Sequence, residues 1–177
     1  MWVEPLSRDV SASDLDELAE LLSGAVASGA WVSFLPPLSP ERARGFWYNA
    51  LERAHDRSVT LVARDETGII GSVQLHPAAS PNQQHRADVA KLLVHPRARR
   101  RGVGRLLMQE LEKWATLAGF TLLTLDTRRG DAAEHFYRRL GWTPAGVIPG
   151  YAVDANGTAW DSAFFFKQLG TDRPRPR

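Results

Sequence analysis

Between Leu92 and Arg105 the chain reads Leu-Leu-Val-His-Pro-Arg-Ala-Arg-Arg-Arg-Gly-Val-Gly-Arg, and few folds accept such a run. The apolar residues before Pro96 predict a buried strand that stops there, because proline has no N–H for the ladder. Apolar spacing resumes after Gly102 and Gly104, so a helix starts on those glycines. A helix N-terminus exposes unpaired N–H groups and a positive dipole end, which together attract an anion. Glycines let the anion reach the backbone, and Arg97, Arg99, Arg100, Arg101 and Arg105 surround it with charge. The expected unit is strand, arginine loop and helix, shaped for a pyrophosphate.

The flanks decide which pyrophosphate site this is. A dinucleotide-binding turn needs a third glycine at position 107, which is Leu107; a P-loop needs Lys-Ser/Thr after Gly104, which is followed by Arg105 and Leu106. The pattern present is Arg/Gln-x-x-Gly-x-Gly/Ala at Arg99, Gly102 and Gly104, after a strand end at Leu92, Val94 and Pro96. It resembles the coenzyme A-binding motif of the GNAT N-acetyltransferase superfamily. A solvated arginine run at a helix start is the alternative.

Length and composition agree with one soluble globular domain. With 177 residues, 44% hydrophobic and 24% charged, the chain suits one globular domain over 1–170 with a disordered basic tail at 171–177. A net charge of +2 argues against whole-surface nucleic-acid binding. The absence of cysteine removes disulfides, thiolate metal sites and a cysteine nucleophile. No metal is expected. No run approaches membrane-spanning length, so no membrane partner is expected and the cytoplasm is the default compartment.

Periodicity gives the order β-α-α-β-β-β-α-β-α-β-β. A first helix is capped by Ser11 or Ser13, and a second starts at Ser39 with Pro40 in its first turn. Residues 86–94 form the strand feeding the arginine loop. Leu122 to Leu125 form a buried strand ended by Asp126. Asp131 and Glu134 have capping-box spacing, and Asn156-Gly157 joins the last two strands. This order matches the GNAT fold, an α/β (α+β) architecture whose mixed, mostly antiparallel six- to seven-stranded sheet is flanked by helices and splayed between strands 4 and 5. Segments such as Leu125-Asp126-Thr127, Phe136-Tyr137 and Pro149-Gly150-Tyr151 resemble the branch containing the tabtoxin-resistance acetyltransferase.

The resemblance implies acetyl transfer from acetyl-CoA to an amine. It assigns the pantetheine to the main chain of Leu92, Leu93 and Val94, and the pyrophosphate to Arg99, Arg100, Arg101, Gly102, Val103, Gly104 and Arg105. Ala133 and Tyr137 fall on the family's Asn-x-x-Ala-x-x-x-Tyr pattern, with Gly130 in the asparagine slot; Tyr137 is then the acid for the leaving sulfur. Asp126 and Asp88 match a carboxylate pair, either of which could take the amine proton. Trp31, Phe34, Trp47, Tyr48, Tyr151 and Asp126 are the acceptor candidates. Aromatic walls with a carboxylate suit a small cationic amine or an amino acid. A protein amine as acceptor, a non-catalytic acetyl-CoA sensor and a homodimer remain open.

Overall fold

Local signals place most of the elements in the computed structural model, which describes residues 1–54 and 56–170. Ser11 caps α1 (Ala12–Ala27) by accepting from the Asp14 N–H, and Ser39 caps α2 (Pro40–Glu52) by accepting from the Arg42 N–H. These two bonds satisfy N–H groups that a helix start otherwise leaves open. The remaining helices are α3 (Val103–Leu117) and α4 (Ala132–Arg139). The strands are β1 (Trp2–Pro5), β2 (Val59–Asp65), β3 (Gly68–Pro77), β4 (Arg86–Val94), β5 (Leu122–Arg128), β6 (Thr143–Val153) and β7 (Ala159–Gln168). The expected tail at 171–177 lies outside the described residues.

The seven strands form one sheet in the order β1-β2-β3-β4-β5-β7-β6. Every neighbouring pair is antiparallel except β4 with β5. On one face α3 buries Val103, Leu107, Met108, Leu111 and Ala115, packed with Val73, Leu75, Leu123 and Phe165 of the sheet. On the other, α1 and α2 bury Leu18, Leu22 and Trp47 against Val62, Ile69 and Leu93. The Trp47 indole donates to the Leu18 carbonyl at 2.8 Å, which ties the two helices together. Each large apolar side chain withdrawn this way stabilises the fold by about 1.5–3 kcal/mol.

Two irregularities in β4 shape everything that follows. Its parallel ladder with β5 holds only Arg86↔Leu122, Ala87↔Leu123 and Asp88↔Thr124. Beyond that point β4 stays on β3 as far as Val94, and β5 stays on β7 as far as Arg128, so the two strands part and leave a wedge. The second irregularity is a bulge. Ser72 pairs with Leu93 and Gln74 with Ala90, so Val73 alone opposes both Lys91 and Leu92. Lys91 sits at φ +52°, held by the Ser72 hydroxyl donating to its carbonyl at 3.1 Å.

Two local expectations need correction, whereas the Asn156-Gly157 turn between the last two strands is present. Asp126 does not end β5, which runs on to Arg128 because β7 keeps pairing with it through Ser162. The expected capping box does not close: Asp131 makes no cap bond, and the Glu134 carboxylate accepts from the Gly130 N–H instead, at 2.9 Å. The last hairpin turns through residues 154–158, with Asp154 Oδ1 accepting from both the Asn156 and Thr158 N–H groups.

Candidate active site

The wedge opens into a cleft of about 1040 Å³. Its walls are residues 28–35, Val89 to Leu92 of β4, Asp126 to Arg128 of β5, the start of α4, Tyr137, and Tyr151 to Val153 of β6. Arg99 brings the arginine loop to its edge.

That loop is strained into a cradle. His95 donates its N–H to the Ile70 carbonyl and accepts from the Arg97 N–H on its ring Nδ1, which fixes the turn after β4. Arg100 lies at φ +58° and Gly102 at φ +84°, so left-handed residues fold the chain back just before α3. The first N–H groups of a helix have no partner inside it, so the start of α3 carries open donors. Arg99, Arg100, Arg101 and Arg105 are exposed around it. Arg97 is spent elsewhere: it grips Asp65 at 3.1 Å and clips the β2–β3 turn to the loop. Thr67 hydrogen bonds and the Arg97 guanidinium lower the Asp65 carboxyl to about 2.

Gly104 has a second task. A Cβ there would stand 3.3 Å from the Phe136 ring and 3.6 Å from Val94, so the missing side chain also admits α4. Val103 and Leu93 are core side chains, and only their main chain is available for binding.

Tyr137 is 8% exposed, with its ring among Phe136, Trp142 and Phe165. Burial pushes its hydroxyl well above the ordinary phenol value, and the nearby Asp126 charge adds to the shift. The shift favours the neutral phenol over the phenolate. Ala133 lines the cleft one turn earlier on the same helix.

Thr124, Asp126 and Arg128 alternate onto the sheet face opposite the buried Leu123 and Leu125. The Asp126 carboxylate accepts from the Ser162 hydroxyl at 2.6 Å and is open to the cleft. Asp88 is different. Arg86 and the Thr124 hydroxyl hold its carboxylate where β4 and β5 last pair, and it does not line the cleft. Of the expected acceptor residues, Trp31, Phe34 and Tyr151 reach the cleft; Trp47 is core and Tyr48 faces solvent.

Two cationic residues of the cleft were missing from the sequence reading. Lys91 projects beside Phe34 and Phe46, its ammonium 5.7 and 5.4 Å from their ring centres. A lysine inside an apolar strand was the available signal. Arg128 stacks on Trp160 at 3.4 Å. Among the described residues, no cluster of three or more His, Asp and Glu side chains is placed for a metal ion.

A parallel strand pair thus parts beside a glycine-led helix start and leaves one cleft with a buried phenol in its wall. A sequence model of the acetyltransferase (GNAT) family matches residues 25–142, and the chain belongs to that family. It is 31% identical over 121 residues to an uncharacterized N-acetyltransferase from the hisH–hisA intergenic region of Azospirillum brasilense. That match covers 67% of this chain and 71% of the relative. The Brucella melitensis ribosomal-protein-alanine N-acetyltransferase shares the fold with a TM-score of 0.78 at 22% identity, over 96% of this chain and 100% of its own. The yncA protein of Salmonella typhimurium, solved with its cofactor acetyl-CoA, superposes with a TM-score of 0.79 at 17% identity, over 99% and 97%. The chain is an N-acyltransferase enzyme.

Proposed function

We propose that this enzyme transfers an acetyl group from acetyl-CoA to the amine of a small molecule within a ternary complex. The observation carrying the reading is the wedge itself: one cleft touches the arginine cradle at Arg99 and holds both Tyr137 and Asp126. When bound, acetyl-CoA supplies an activated thioester. The transfer forms an N–C bond and breaks a C–S bond, so the amine loses a proton and the sulfur gains one. Residues 99–105 hold the pyrophosphate, and the main chain of Leu92 to Val94, freed from β5, faces the pantetheine. Tyr137 gives its proton to the sulfur. Asp126 takes the amine proton, directly or through water. Asp88 anchors the branch point and takes no part in proton transfer.

A small acceptor is favoured over a protein because residues 28–35 and Tyr151 wall the acceptor side of the cleft. The likeness of Leu125-Asp126-Thr127 and Pro149-Gly150-Tyr151 to the tabtoxin-resistance branch points the same way. The β6 edge supports a homodimer: its eleven residues carry no charge, and Val147, Ile148 and Val153 are 41%, 46% and 52% exposed. Isologous pairing of two such edges meets no like-charge penalty.

The test is a thermal-shift series with acetyl-CoA, followed by thiol release against a panel of small amines and of peptides. Stabilisation by acetyl-CoA with turnover confined to small amines supports the reading. Turnover of peptides alone replaces the acceptor class, and no stabilisation removes acetyl-CoA as the donor.

A further inference from the structure

We propose that Lys91 reads an anionic group on the acceptor, so that the substrate is an amine that also bears a carboxylate, in the manner of an amino acid. The inference rests on acetyl transfer taking place in this cleft. It starts from a backbone irregularity: at the bulge opposite Val73, Lys91 takes a φ of +52° and its side chain lines the cleft. Non-glycine residues rarely adopt that conformation, so the surrounding structure has to hold it there.

The ammonium is poorly compensated where it lies. Among the described residues it has two ring faces, Phe34 and Phe46, and no ion pair or hydrogen bond. Burial lowers its proton affinity below that of an ordinary lysine, and the Asp126 charge offsets this in part. Asp126 is itself engaged by Ser162. A half-buried cation whose nearest opposite charge is already engaged is poorly compensated, and a bound anion improves that. The phosphates of the co-substrate are not that anion. Lys91 lies about 10 Å of strand before the end of β4 at Val94, taking ~3.3 Å per residue, and the arginine cradle comes after that end.

Charge placement then describes the ligand. Asp126 and Lys91 present opposite charges to one cleft, on strands that have parted. A zwitterion satisfies both, with its amine toward Asp126 and its carboxylate toward Lys91. A simple amine satisfies only the first. The rings of Phe34 and Phe46 flank the lysine head and attract its charge.

The experiment compares matched acceptors. Each common α-amino acid is assayed with acetyl-CoA beside the amine that lacks only its carboxylate, for the native enzyme and for Lys91→Met. The native enzyme is expected to favour at least one amino acid over its partner amine by about 10- to 100-fold in kcat/KM, as a charged hydrogen bond predicts. In Lys91→Met the preference disappears through loss on the amino acid alone, while the acetyl-CoA Kd stays unchanged. Lys91→Gln gives the same readout should the methionine variant not fold. An equal loss on both partners makes Lys91 a clip for the 28–35 loop and overturns the proposal. So does turnover of simple amines with no amino acid accepted, an outcome that leaves acetyl transfer standing. Failure to bind acetyl-CoA at all would remove it as the donor and this proposal with it.

Discussion

The loop from His95 to Arg105 and the loop from Ser28 to Leu38 both feed the same cleft, yet they are held in place differently. The first is fixed mainly by local bonds and dihedrals: a proline stop, a His95 ring bond to the Arg97 N–H, left-handed Arg100 and Gly102, and a helix that starts at once. It has two ties to the β2–β3 hairpin, the His95 N–H on Ile70 and Arg97 on Asp65. The second leaves α1 through backbone bonds from Ser28, Gly29 and Ala30, and then depends on side chains far away in sequence. Phe34 packs edge-on against Phe46 of α2 at 5.2 Å, and Lys91 of β4 sits over both rings. A binding site made of main chain suits a co-substrate whose phosphates never vary. A site made of borrowed side chains suits an acceptor that differs from one enzyme to the next.

If this contrast holds, substitutions should separate cleanly into those that change the chemistry, those that change acetyl-CoA affinity and those that change acceptor KM. The largest effect is expected for Tyr137→Phe, which keeps the ring among Phe136, Trp142 and Phe165 and removes only the hydroxyl. Its kcat should fall by about 10²–10⁴, with acetyl-CoA affinity unchanged by calorimetry. Because burial raises the Tyr137 pKa, the phenol stays protonated as pH rises, and the native kcat should show no alkaline loss through pH ~10. A weaker acetyl-CoA affinity in place of a slower step would make Tyr137 a positioning residue.

Next in size is the cradle. Gly102→Val puts a β-branched residue at φ +84° and should weaken acetyl-CoA by about 10- to 100-fold, with acceptor KM unmoved. Gly104→Val should do likewise, and both variants should lower the melting temperature, the first through its left-handed backbone and the second by crowding Phe136. Full affinity in both variants would mean that the cradle is not where the pyrophosphate binds.

Asp126→Asn should cost about tenfold in kcat/KM at low pH and less at high pH. The sign follows from the acceptor: at low pH its amine is protonated and needs a base, whereas at high pH it is already neutral. A parallel loss at every pH would reduce Asp126 to the hydrogen-bond partner of Ser162.

Trp31→Ala should give the smallest effect, raising acceptor KM roughly fivefold through lost apolar contact and leaving acetyl-CoA binding intact. A change in acetyl-CoA affinity of the same size would show that the two loops are coupled, and the contrast between them would fail.

The amino-acid sequence settled what depends on a residue and its near neighbours. Pro96 stops β4, Ser11 and Ser39 start their helices, and Gly102 permits the turn into α3, because each acts through its own dihedrals or through a bond a few residues away. The strand from Arg86 to Val94 was legible for the same reason, as an apolar run between clear stops. Its irregularities were not. The bulge at Lys91 exists only because β3 offers one residue against two, and the wedge only because β5 follows β7 rather than β4. Arg97 reads as one more cradle arginine until the β2–β3 turn brings Asp65 to it. Asp88 and Asp126 look alike in sequence. They part in role because strand pairing puts Arg86 and Thr124 on one and an open cleft beside the other. Spacing along a chain encodes periodicity and turns, whereas the partner of a side chain across a sheet is set by register, and register is decided by the packing of all seven strands together.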